Sequence, residues 1–98
     1  MTPEGRVKSR ISKFLKSLDG CFYDMPVPSG FGKSTLDYVC SYRGFAFYIE
    51  AKAPGKGPTP RQKIIIRNIE ASGAKVFVID GDLSELEAWV AQVRSTKR

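Results

Sequence analysis

Asp37, Glu50 and Lys52 are the residues of this 98-residue chain whose types and spacing could do chemistry. Asp37 lies in Ser34-Thr35-Leu36-Asp37-Tyr38-Val39-Cys40, and Glu50 and Lys52 lie in Phe45-Ala46-Phe47-Tyr48-Ile49-Glu50-Ala51-Lys52. Both stretches are rich in β-branched and aromatic residues, which predicts strands. Side chains two apart on a strand share a face, so Glu50 and Lys52 emerge together and Ala51 turns away. The link Ser41-Tyr42-Arg43-Gly44 is short and contains glycine, which predicts an antiparallel hairpin. That hairpin brings Asp37 across from the Glu50 end.

Two carboxylates at close quarters repel unless a cation sits between them. Hard oxygen ligands suit Mg²⁺ or Mn²⁺. Such an ion polarises a phosphoryl oxygen and lowers the pKa of a bound water. A neighbouring lysine orients that water or stabilises developing negative charge. A lone Glu-x-Lys on a strand is more often a solvated pair. Here Phe45, Phe47, Tyr48 and Ile49 predict a buried strand, and buried strands rarely carry charge without a reason.

The remaining elements must hold these residues in place. Val7, Ile11, Phe14, Leu15 and Leu18 form a helical stripe over residues 3–18, capped by Thr2 with Pro3 at the first position. Glu4 falls in its first turn, where a carboxylate complements the helix dipole. Lys8, Arg10, Lys13 and Lys16 cover the polar surface. Cys21 to Val27 reads as a first strand, closed by Pro26 and Pro28. Gly32-Lys33-Ser34 suggests a phosphate loop, but Val27 stands where that motif needs glycine and a strand follows, so no nucleotide cofactor is expected. Lys33 and Ser34 read instead as a basic loop leading into Asp37. The Pro/Gly/Lys-rich stretch Ala53 to Pro60 is a loop. Thr59 caps a second helix from Pro60 to about Ser72, stopped by Gly73. Gln62 lies in its first turn, pointing back toward the loop and Lys52. Lys75 to Asp80 is an apolar run, the mark of a strand covered on both faces and parallel to the Glu50 strand. Leu83, Leu86, Trp89, Val90 and Val93 stripe a last helix, and Arg94 to Arg98 form a basic tail.

The totals bound the function. The chain is one domain, 1–98, of α/β class, with a four-stranded mixed sheet flanked by helices in the order α-β-β-β-α-β-α. No apolar run is long enough to span a membrane, and the N-terminus carries no apolar h-region, so no membrane and no signal peptide are expected. Cys21 and Cys40 read as reduced, buried thiols of a cytoplasmic protein. With no histidine, Ser-His-Asp catalysis and His-ligated zinc are excluded, and any metal must be held by carboxylates and carbonyls. A net charge of +6, from 16 Lys and Arg against 10 Asp and Glu, favours a polyanionic partner such as nucleic acid.

The element order, with Asp37 and Glu50-Ala51-Lys52 on the second and third strands, resembles the PD-(D/E)xK nuclease superfamily and its restriction-endonuclease-like core. Glu4, the Pro/Gly loop, Gln62 and Gly73 narrow the resemblance to the VRR-NUC domain in its stand-alone, phage-type form. One departure is Leu36, where the superfamily carries proline. The resemblance implies that Asp37, Glu50 and the Ala51 carbonyl hold Mg²⁺ or Mn²⁺, and that Glu4 completes the site directly or through water. It implies that Lys52 orients or activates the attacking water and that Gln62 supports the site from the second helix. The implied reaction is hydrolysis of phosphodiester bonds in structured DNA, including four-way (Holliday) junctions, in a bacterial or phage-infected cell. Lys33, Ser34, Lys56, Arg61 and Lys63 flank the site and are expected to contact DNA phosphates. The alternatives are a non-catalytic DNA-binding module on the same fold and an RNA-directed protein. Paired cuts across a junction call for two sites, hence a two-fold homodimer. The first strand and the last helix, with Trp89, are candidates for its interface; the competing reading is that they cover the monomer's own sheet.

Overall fold

Thr2 starts the first helix, accepting a hydrogen bond from the Gly5 N–H at 2.9 Å, with Pro3 placed where no N–H is needed. In this computed structural model, which describes residues 1–28 and 34–96, seven elements follow in order. They are α1 (Pro3–Lys16), β1 (Cys21–Asp24), β2 (Tyr38–Tyr42), β3 (Phe45–Ala51), α2 (Pro60–Ala71), β4 (Lys75–Ile79) and α3 (Ser84–Ser95). The strands lie side by side in the order β1-β2-β3-β4. β1, β2 and β3 are mutually antiparallel, and β3 pairs with β4 in parallel. The α/β class, the mixed four-stranded sheet and the element order match the expectation from sequence.

Local chemistry moves several boundaries. The β2–β3 turn is only Arg43-Gly44, because Tyr42 and Phe45 still pair. Both turn residues have positive φ, 51° and 86°, the signature of a tight hairpin turn that follows strand twist. β1 ends at Asp24, not Val27; Pro26 has no N–H to donate to a ladder, and Val27 is exposed. β2 starts at Tyr38, not Ser34, because the Asp37 N–H donates to a side chain. α1 closes at Lys16, yet Leu18 remains buried beyond it.

The core lies on one face of the sheet. Val7, Ile11 and Leu15 of α1 and Leu86, Val90 and Val93 of α3 pack on Tyr38, Cys40, Tyr42, Phe47, Ile49, Ala51, Phe77 and Ile79. Trp89 fits among Phe45, Phe47 and Phe77, with ring centroids 6.4, 4.9 and 5.7 Å away. The apolar set of α3 therefore covers the chain's own sheet and is not the free surface that one sequence reading offered as an interface. α2 contributes no buried residue. β4 is accordingly not covered on both faces: Val78 is 41% exposed. Exposed apolar side chains away from the core include Phe22 on β1 and Ile64 on α2.

Both cysteines are free thiols; Cys40 is buried, as expected, but Cys21 is only half-buried. Burial, and then the neighbouring Cys21, pushes the Cys40 thiol up to about 12, while burial also raises Cys21. The thiolate is the reactive form, so reactivity of Cys40 rises with pH toward 12 and is minimal near neutrality. Iodoacetamide at pH 8 should modify Cys21 first. It should modify Cys40 about a thousandfold more slowly than an open thiol, from the thiolate fraction alone. Equal rates at the two positions would contradict the packing of Cys40.

Candidate active site

Glu50 and Asp37 are the only buried charged residues among the described residues, at 3% and 6% exposure. The β2–β3 register pairs Tyr38 with Ile49, which brings the preceding Asp37 beside Glu50. Each carboxylate then bonds the other's strand. The Asp37 N–H donates to Glu50 Oε1 at 3.2 Å, and the Ala51 N–H donates to Asp37 Oδ2 at 2.9 Å. In an extended strand the N–H and C=O of one residue point to the same side. The Ala51 carbonyl therefore faces the Asp37 side of β3.

Lys52 follows β3 on the same face as Glu50. Its N–H continues the ladder to the Ile79 carbonyl at 2.9 Å, which fixes its backbone. Its ammonium Nζ lies 3.5 Å from Glu50 Oε2 with the side chain 12% exposed. The same oxygen accepts a 2.7 Å bond from Gln62 Nε2. Gln62 is held by a capping box: its Oε1 accepts from the Thr59 N–H, and its own N–H donates to Thr59 Oγ1. The first turn of α2 is thereby fastened to Glu50.

α1 approaches from the other side. Lys8 Nζ lies 3.5 Å from Glu4 Oε2 and 3.8 Å from Asp37 Oδ1. The Tyr38 hydroxyl donates to the Lys8 carbonyl at 2.9 Å and meets Ser12 Oγ at 2.8 Å. A phenol has one proton to give, so Ser12 donates to Tyr38. Burial raises the Tyr38 hydroxyl above its ordinary pKa, which keeps that proton in place. These bonds fix the height of α1 over Asp37.

The structure thus gathers Asp37, Glu50, Ala51, Lys52 and Gln62 in one place. Glu4 reaches them through Lys8. Among the described residues no three His, Cys, Asp or Glu side chains form a metal-holding group. The donor set at hand is two buried carboxylates and a backbone carbonyl. It fits Mg²⁺ or Mn²⁺ with water completing the shell, since Mg²⁺ keeps several waters and is commonly held by one or two carboxylates. Arg61 lines a shallow cleft beside Gln62 with Thr35, Thr59 and Ile65. Lys56 and Lys63 are exposed nearby in sequence, in the loop and the first turn of α2, and Ser34 is exposed ahead of Asp37. Lys33 lies outside the described residues. Sequence reasoning missed Lys8, which it left on the polar face of α1. The Glu4–Lys8 spacing of four was the available signal. It also missed the Thr59–Gln62 capping box, although Thr-x-x-Gln is its signature. No family model matches the chain, and no curated protein matches it.

Replacing Gln62 by Leu removes the side-chain half of the capping box, which accepts from the Thr59 N–H, and one donor from a buried carboxylate. The expected cost is about 1–3 kcal/mol of folding stability, read by urea unfolding. A loss under about 0.5 kcal/mol, the range of ordinary surface changes, would mean that α2 is not fastened to Glu50.

Proposed function

We propose that this chain is a Mg²⁺- or Mn²⁺-dependent endonuclease of the VRR-NUC type that hydrolyses phosphodiester bonds in branched DNA, four-way junctions above all. The observation that carries the reading is the pair of buried, cross-bonded carboxylates with Lys52 beside them. Burying two carboxylates side by side is costly unless a cation offsets it. When bound, the metal ion polarises the scissile phosphate and acidifies a water. Asp37 and Glu50 would hold it, aided by the Ala51 carbonyl. Lys52, fixed by its backbone bond to Ile79, offers a proton donor and a positive charge where the attacking water and the developing charge would lie. Gln62 holds Glu50 in one orientation. Lys56, Arg61 and Lys63 supply cations for backbone phosphates, the sequence-independent part of binding.

One observation favours the rival reading of a DNA-binding module without catalysis. Asp37 and Glu50 each already have an ammonium partner, Lys8 and Lys52, as a purely structural pair would. Cleavage separates the two. Labelled linear, flapped and four-way DNA should be cut only with Mg²⁺ or Mn²⁺, and the four-way substrate best. Glu50→Gln should abolish cutting and leave DNA binding near the native level. Lys52→Ala should lower turnover by about 10²-fold or more, the usual weight of a proton-transfer group, with less effect on metal affinity. Full-rate cutting by Glu50→Gln would sink the assignment.

The working unit we propose is a homodimer, since one carboxylate pair per chain supplies one cut. With α3 committed to the core, the interface falls to the opposite face, where Phe22, Ile64 and Val78 are exposed. Large apolar side chains left in water are the candidates for such a contact. Sedimentation at micromolar concentration should give about twice the 10.9 kDa chain mass, and Phe22→Asp should shift it to monomer. A monomer that still makes paired cuts would overturn the dimer.

A further inference from the structure

Lys8 has no place in the reaction as described, yet it is the side chain that joins α1 to the carboxylates. Its ammonium stands between Glu4 and Asp37, 3.5 and 3.8 Å from their oxygens. Its side chain is one-third exposed, so a short swing returns it to water. Its backbone stays fixed by Tyr38.

We propose that Lys8 is the resident counter-ion of this site: it holds Glu4 and Asp37 together before a divalent ion arrives, and it competes with that ion for them. The inference rests on the metal site proposed above. The ammonium lies against Asp37, a carboxylate assigned to the ion, and two cations there repel. Entry of the ion requires Lys8 to leave Asp37. Once displaced, Lys8 frees Glu4 to approach the ion, which explains why Glu4 stands off the carboxylate pair while Lys8 bridges to it. Lys8 in this role is a positioning residue, acting through Glu4 and Asp37.

The direction of the effect separates this role from a structural one. A lysine needed only to shape the site would weaken metal binding when lost; a competing cation would strengthen it. Mn²⁺ is the probe, with affinity read by calorimetry and by the free-ion electron paramagnetic resonance signal, on the full chain without DNA. Lys8→Met should bind Mn²⁺ about two- to fivefold more tightly than the native chain, the scale of one partly exposed ion pair. Lys8→Arg, which keeps the charge, should bind like the native chain. Without metal, Lys8→Met should melt below the native chain, and saturating Mn²⁺ should raise its Tm by more than it raises the native Tm. Equal or weaker Mn²⁺ binding by folded Lys8→Met would overturn the counter-ion role and leave the site itself standing. Absence of Mn²⁺ binding by the native chain, or native-like binding by Glu50→Gln, would instead overturn the metal site and the inference with it.

Discussion

Asp37 and Glu50 each accept a backbone N–H from the segment that carries the other, and the rest of the molecule is built around that exchange. The Asp37 N–H bonds Glu50, and the Ala51 N–H, one residue past Glu50, bonds Asp37. These bonds replace the ladder where β2 has not yet begun and β3 is ending. A buried N–H left unpaired costs about as much as a lost hydrogen bond, so the carboxylates satisfy the strands as the strands satisfy them. Charge is then concentrated where the sheet would otherwise fray. Two helices bring what the charge needs. The first turn of α2 delivers the Gln62 amide, and the first two turns of α1 deliver Lys8. Helix N-termini carry partial positive charge, which also favours this placement beside carboxylates.

The same exchange explains why the structure tolerates so one-sided a core. α1 and α3 cover one face of the sheet and bury most of the apolar side chains. α2 crosses the other side with no buried residue. Ile65, Ile66 and Ile69 are only half-covered, so burial alone holds α2 weakly. Its anchor is polar and lies at one end, through Thr59, Gln62 and Glu50. Elsewhere α2 touches the sheet at β4.

Much of this was legible in the sequence because it rests on periodicity and spacing. The alternation Phe47, Ile49, Ala51 against Tyr48, Glu50, Lys52 fixed which face each residue takes, and with it the meeting of Glu50 and Lys52. Thr2-Pro3 and Thr59-Pro60 marked two helix starts that the structure repeats. Less legible were features set by tertiary geometry. Trp89 reads equally as core or interface until β3 and β4 supply Phe47 and Phe77 around it. The apolar run of β4 suggests cover on both faces, but a helix that stays half-buried leaves Val78 partly open. Lys8 reads as one more cation on a basic helix. Only the height of α1 over the sheet, set by Tyr38 and Ser12, turns it toward Asp37.

That height has a consequence for how site and fold are coupled. Tyr38 belongs to the core by burial and to the site by its bond to the Lys8 backbone. It is adjacent in sequence to Asp37, so one strand start sets both the carboxylate and the helix above it. Ser12, one turn beyond Lys8, closes the same contact from α1. A change in packing under α1 would therefore move Glu4 and Lys8 relative to Asp37 while leaving the Asp37–Glu50 exchange intact. The carboxylate pair is bound within the sheet, whereas the α1 residues reach it across a helix–sheet contact. The carboxylate pair is thus tied by two backbone bonds, and the α1 residues reach it through side-chain ion pairs.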